Sequence, residues 1–376
     1  MSGWIGQLPI HSRCMLFWNR DAGLGVAPVM RGAGGIAGRV LRAVFSKRTM
    51  RLLQPYQGLI GLAVLFAVAF FIARDEFFSA ANGVNVLKQL AVPGTLAIGM
   101  TFVILTGGID LSVGSLLALG NVILAEWAKN GLAAVVGIFA LFGLGHWVGG
   151  LAMVPSVVYA LALSAIIGAM VGGLIGTTRL QPFIVTLAAM VTLRGICYLY
   201  TDNAIVSIED ERFAFLQDTH FGLPISAWVL IGVTLASAIL LRYSVFGRHV
   251  YALGGNETAA KLSGVHTTRV RMGAYALNGL CVGIAAILFT GRTSTGQPSA
   301  GTGYELDAIA AVVVGGSSLF GGIGNIFGTF VGALFMGCVN TLLQLKGVDP
   351  FVGMGWKGLI ILVAVYLQNI GRSEGR

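Results

Sequence analysis

Asp110 lies in the run TGGIDLSVGS (Thr106–Ser115), between two apolar segments. A carboxylate at membrane depth is costly unless it is paired or hydrated. Gly107, Gly108 and Gly114 around it permit irregular backbone, which lipid depth tolerates only where the chain is buried in protein or lines a cavity. Two roles are open to Asp110 and Ser112: capping the apolar segment that follows them, or acting directly on a solute or gate. Arg194, in the middle of Gln181–Tyr200, and Asp307, in the run YELDA, are functional candidates on the same ground. The alternative is that they simply pair with each other or with backbone carbonyls, and the sequence leaves this open. Asn121, Asn278, Asn340 and Gln344 place polar side chains in apolar segments, which suits either interhelical hydrogen bonds or a polar path for a hydroxylated solute.

A second group of residues suits docking. The run YALGGNETAAKLSGV (Tyr251–Val265) is a short soluble-helix signal between apolar segments. Asn256 is placed to cap a helix by accepting a backbone N–H, Glu257 complements its positive end, and Gly264 is a natural residue just past its C-terminus. Such a helix covers barely two turns and is too short to stand alone in water, so it needs a partner to pack against. Arg242, Arg248, Lys261, Arg269 and Arg271 surround the single acid Glu257, which places this loop on the cytoplasmic side.

Other chemistry is excluded. The glycine-rich stretch Gly315–Gly328 has no following Lys in the phosphate-loop spacing, and no metalloprotease, nucleophile-elbow or paired-carboxylate arrangement occurs. Cys14, Cys197, Cys281 and Cys338 are scattered, without metal-ligand or redox spacing, and read as small buried hydrophobes.

The elements that must position these residues follow from composition. The 376 residues are 56% hydrophobic and 10% charged, against about 25% charged in a soluble domain, so most of the chain lies in lipid. The 55 glycines sit inside apolar runs, as in helices packed through small faces. The net charge of +9 concentrates at the N-terminus and in cytoplasmic loops, where it faces anionic lipid, and carries no nucleic-acid signal.

Residues 1–51 carry eight Lys/Arg against Asp21 and read as a poorly ordered basic cytoplasmic tail with no signal peptide. Spans are expected at Leu52–Ala73, Val84–Thr106, Ser112–Ala128, Val154–Thr177, Gln181–Tyr200, Ile225–Leu241, Met272–Thr290, Leu306–Val314 with its flanks, Asn325–Leu345 and Phe351–Leu367. Pro93–Gly94 predicts a break inside the second. Gly131–Leu144 is too short to span and reads as interfacial or re-entrant. The acidic loop Thr201–Pro224, with Asp202, Glu209, Asp210, Glu211 and Asp218 against Arg212, belongs outside. The fold class is therefore an all-α, polytopic membrane protein of about ten helices. Its transmembrane domain covers 52–369 with a cytoplasmic loop at 243–268, and 370–376 form a cytoplasmic C-terminal tail.

Four segments in this order resemble the permease subunits of ribose-, arabinose- and xylose-type sugar ABC importers, within the branched-chain amino acid and sugar permease superfamily. They are GMTFVILTGGIDLSVGS (Gly99–Ser115), QPFIVTL (Gln181–Leu187), GGNETAAKLSGV (Gly254–Val265) and GYELDAIAAVVVGGSSLFGG (Gly303–Gly322). The resemblance covers roughly Pro55 to Gln368. It implies two approximate inverted-repeat halves in the bacterial inner membrane, with both termini cytoplasmic. The implied partners are a second permease copy or homologue, a cytoplasmic ABC ATPase that holds the ATP-Mg, and a periplasmic sugar-binding protein. No cofactor is implied on this chain. Gly254, Gly255, Asn256, Glu257, Ala260 and Gly264 would form the loop received by the ATPase. Gln181 and Thr186 join Asp110, Ser112, Asn121, Arg194, Asp307 and Asn340 as candidates for the translocation path or gate. The cargo implied is a monosaccharide, a pentose or related sugar. Nucleosides or branched-chain amino acids are same-class alternatives, and an ion-coupled secondary transporter built on Asp110 and Asp307 is a different-class one.

Overall fold

A computed structural model describes residues 57–129, 153–178, 180–208 and 215–370. The expected tail 1–51, the segment Gly131–Leu144, the acids Glu209, Asp210 and Glu211 and the chain beyond Ile370 lie outside these residues. The described helices, in order, are α1 Gln57–Phe77, α2 Ala80–Leu105, α3 Val113–Lys129, α4 Met153–Thr178, α5 Pro182–Thr201 and α6 Ile225–Tyr243. After them come α7 Val245–Gly255, α8 Glu257–Leu262, α9 Thr267–Thr293, α10 Tyr304–Val314, α11 Ile326–Leu345 and α12 Pro350–Ile370. Four two-residue strands form two small antiparallel ribbons. β1 Val206–Ser207 pairs with β4 Thr295–Gly296, and β2 Thr219–His220 pairs with β3 Leu223–Pro224.

The fold is all-α and polytopic. Seven described helices, α1, α2, α4, α5, α6, α9 and α11, are long and apolar enough to cross a membrane. The other three expected spans take different forms. α3 is apolar over the shorter stretch Val113–Glu126. α12 contains the expected Phe351–Leu367. Leu306–Val314 falls in the 11-residue α10, about 16 Å long and near half the hydrocarbon thickness. It ends there because Gly316, Gly321 and Gly322 adopt positive φ, which a helix cannot use.

The break expected at Pro93–Gly94 does not occur: α2 runs through Pro93 without interruption. Surrounding helices enclose it, and Gly94 serves close approach instead, since a Cβ there would lie 3.1 Å from the Leu230 methyls of α6. α2 is the central helix. It packs against α6, α9, α10 and α11, and from Leu90 to Leu105 every residue but Pro93 is buried.

α4 and α9 make the closest helix pair, through Gly168, Gly172 and Gly176 spaced four apart on α4. Side chains at these positions would run into the Tyr275, Met272 and Thr268 region of α9, so the stripe lets the two backbones nearly touch. Outward, Phe71, Met170 and Leu199 are exposed, as a lipid-facing surface requires. Cys197, Cys281 and Cys338 are free and buried.

Candidate functional site

The segment that follows α6 is built by consecutive caps. Ser244 accepts from the Gly247 amide (3.0 Å) and starts α7. At the other end of α7, Asn256 Oδ1 accepts from the Ala259 amide (2.9 Å) and starts α8. The end of α8 is a Schellman turn, with Gly264 at φ +83°. The Val265 amide donates to the Ala260 carbonyl and the Gly264 amide to that of Lys261, both at 3.0 Å.

One face of α8 is fixed to the body. Ala260 is buried. The Glu257 carboxylate accepts from Lys261 Nζ (2.8 Å) on its own helix and from Arg271 Nη2 (3.0 Å) on α9. The hydrogen bond from Lys261, followed by that from Arg271, holds the Glu257 carboxyl below its usual range against the opposing effect of partial burial. The other face is free: Leu262 is 86% exposed.

Beneath α8, three segments meet backbone to backbone. A Cβ on Gly254 would collide with the Leu105 carbonyl that ends α2 and with the Gly322 amide. That amide donates to Leu105 O (3.0 Å), and Tyr251 Oη donates to Gly324 O (2.8 Å). Gly255 leads directly into Asn256 at the start of α8.

The turn that follows, Thr106–Ser112, is also tied to α9. Asp110 Oδ1 accepts from the Ser112 amide (2.9 Å) and from the Ser112 hydroxyl (2.6 Å). Asp110 Oδ2 accepts from Asn278 Nδ2 (2.8 Å). The Ile109 carbonyl accepts from Tyr275 Oη (3.4 Å) and from Thr186 Oγ1 of α5 (3.2 Å). Asp110, Ser112, Tyr275 and Asn278 are all buried. Of the two roles expected for Asp110, capping takes a different form. Its oxygens bind Ser112 and Asn278 and reach no further amide of α3, so it locks the turn onto α9. Asn278 Oδ1 and Ser115 Oγ are the polar atoms here without a hydrogen-bond partner.

The four segments quoted above therefore converge on one junction at the α8 end of the bundle. Other candidates lie elsewhere. Arg194 Nη1 donates to the Pro298 and Ala300 carbonyls, both at 2.7 Å, and does not meet Asp307, which pairs with Lys357 (2.9 Å). Asn121 is used structurally. Its Nδ2 donates to Thr290 Oγ1 and Thr295 O, and its Oδ1 accepts from the Gln297 amide. Gln181 precedes α5 with no side-chain cap bond and is exposed.

Asp307 and Asn340 line a cavity of about 470 Å³ between α2, α9, α10, α11 and α12. Lys357, Arg292 and Tyr275 take part in these contacts and were not singled out from the sequence. A lone lysine inside the expected span Phe351–Leu367 was a usable signal. A tyrosine in an apolar helix was not. Among the described residues no cluster of His, Cys, Asp or Glu is placed to hold a metal ion.

Residues 82–366 match the family described as branched-chain amino acid transport system / permease component. The chain is 41% identical over 326 residues to the ribose import permease protein RbsC of Escherichia coli (strain K12), covering 85% of this chain and 95% of that protein. It is 35% identical over 328 residues to the L-arabinose transport system permease protein AraH of the same strain, covering 87% and 94%. It is 33% identical over 368 residues to the xylose transport system permease protein XylH of Haemophilus influenzae (strain ATCC 51907 / DSM 11121 / KW20 / Rd), covering 86% and 98%. No solved structure matches the chain.

Proposed function

The chain belongs to the branched-chain amino acid transport system / permease component family, and from that premise we propose that it is the transmembrane permease subunit of an ATP-driven ABC importer. Its cargo is a monosaccharide, a pentose or related sugar, carried across the bacterial inner membrane. The chain is a transport component and not an enzyme. Hydrolysis belongs to a separate cytoplasmic ATPase, and the sugar is delivered by a periplasmic binding protein to a pair of permease subunits. Both termini are cytoplasmic in this reading.

The observation that carries the reading is the clamped short helix. α8 offers Leu262 outward while Glu257 holds Arg271 on α9. One and two turns further along α9, Tyr275 and Asn278 hold the Ile109–Asp110 turn between α2 and α3. A push on α8 by a nucleotide-driven partner is therefore delivered through the Glu257–Arg271 pair and the hydrogen bonds of α9 to the end of the central helix. An ion-coupled transporter finds less support. Such a protein needs acids free to bind the ion, whereas Asp110 is engaged on both oxygens and Asp307 is paired with Lys357.

The test is co-expression with the ATPase and the binding protein. The expected result is a stable permease–ATPase complex whose ATP hydrolysis rises when the sugar-loaded binding protein is added. A permease that purifies alone, with no response to the binding protein, would refute the reading. A panel of ribose, xylose, arabinose, nucleosides and branched-chain amino acids then assigns the cargo.

A further inference from the structure

We propose that the cavity at the end of the bundle opposite α8 is a weak binding site for one neutral monosaccharide on the permease itself, occupied between release by the binding protein and passage inward. This rests on the importer reading.

Position comes first. Arg292, on the cavity wall, lies 25 residues beyond Thr267 on the same helix α9, about 38 Å from the docking end. The cavity therefore sits where an imported solute arrives. Its volume of about 470 Å³ falls within the roughly 300–1,000 Å³ of ordinary small-molecule sites.

The lining chemistry selects the solute class. Gln89, Asn340 and Gln344 line this space, and their side-chain amides make no hydrogen bond to any described residue. Each amide offers a donor and an acceptor side by side, which matches adjacent hydroxyls of a sugar. Pro93, also on the wall, has no N–H to offer the Gln89 carbonyl, which leaves a further acceptor there.

The charges argue against an ionic solute. Lys357 is neutralised by Asp307 at 2.9 Å. Arg292 donates to Tyr304 Oη and lies over the Phe289 ring. Asp349 accepts from the Phe351 amide. Arg292 and Asp349 keep their charges, but the two cations and two acids of the lining sum to zero, so the cavity has no net charge to favour an ionic solute. The Asp307–Lys357 pair joins α10 to α12 across the cavity, so it also fixes the spacing of the two walls. Weak binding is appropriate to a transport site, because the solute must leave as readily as it enters.

The test uses the full complex of permease, ATPase and binding protein in proteoliposomes. Asn340→Leu combined with Gln344→Leu removes two amides that bond to no described residue, so folding is kept. Uptake of labelled ribose, xylose and arabinose is expected to fall roughly ten-fold, the loss of about two neutral hydrogen bonds, while hydrolysis stimulated by the loaded binding protein stays at its original rate. Asn340→Ser with Gln344 intact should restore most of the uptake.

A second readout is independent of transport. Gln344→Cys should react with a membrane-impermeant maleimide, and saturating ribose should slow that reaction several-fold while leucine leaves it unchanged. Unaltered uptake in the double variant, or labelling indifferent to each of the three sugars, overturns the cavity site. If the unmodified complex shows no stimulated hydrolysis at all, the importer reading itself has failed and the site falls with it.

Discussion

The two ends of the bundle are built on opposite principles. At the α8 end, backbone meets backbone. Gly254 touches Leu105 and Gly322, and the polar groups of Asp110, Ser112 and Tyr275 are spent on one another or on nearby carbonyls and amides. At the other end, Gln89, Asn340 and Gln344 make no side-chain hydrogen bond to any described residue and border an open volume. Close packing without slack passes on displacement, whereas an end with unspent hydrogen bonds can accept a solute and give it up. On the proposed function the contrast divides the labour: one end would take the stroke, the other the cargo.

The largest effect should come from adding volume to the tight end. Gly254→Val drives a side chain into the Leu105 carbonyl, an overpacking cost of about 1–3 kcal/mol or more, and is expected to abolish assembly with the ATPase. The matching change at the open end is Gly353→Ala, where the added Cβ meets only a Leu343 methyl at 3.8 Å. It should shift stability by no more than about 0.5 kcal/mol. Detergent-stable yield and ATPase co-purification read both. Equal behaviour of the two variants would erase the contrast.

Next is the buried turn. Asp110→Leu strands the Ser112 and Asn278 donors at about 1–3 kcal/mol each, whereas Asp110→Asn keeps an acceptor. Thermal unfolding in detergent should rank the wild type above Asn and Asn well above Leu. Equal midpoints for Leu and Asn would reject the lock, and full stability with lost transport in Asn would assign the charge itself to gating.

Glu257→Lys acts on coupling more than on folding. Its two ion pairs are partly exposed, so the stability cost is discounted to about 0.2–1 kcal/mol. Binding-protein-stimulated hydrolysis should nonetheless fall to the basal rate, because α8 loses its hold on Arg271. Wild-type stimulation would separate the clamp from the stroke.

The smallest effect is the pH dependence of that clamp. The Glu257 carboxyl is held below its ordinary value, so its contribution is complete above about pH 5, beyond the unfolded carboxyl range. It disappears as pH falls through the lowered folded value. The midpoint difference between wild type and Glu257→Gln should be constant from neutral down to that range and shrink in more acidic buffer. A difference that grows on acidification would reverse the assignment.

The sequence disclosed the tight end better than the open one, for physical reasons. Caps are local, so Asn256, Glu257 and Gly264 announced α8 within a few residues. The partners that make the junction are distant: Asp110 accepts from Asn278, 168 residues away, and nothing near it in sequence says so. Half-length α10 was hidden because an apolar run does not mark where membrane depth ends. Its stop is written in the backbone of Gly316, Gly321 and Gly322. Pro93 suggested a break that packing around α2 overrides. The cavity was the least legible, since five helices contribute to it and its use of Lys357 depends on α12 meeting α10.

The most direct test is uptake of labelled ribose, xylose and arabinose into proteoliposomes, with the permease reconstituted alone and with its ATPase and binding protein. The account predicts accumulation of at least one of these sugars only when ATP, the ATPase and the loaded binding protein are all present. Accumulation by the permease alone, driven by an imposed proton or sodium gradient and indifferent to the ATPase, would contradict it.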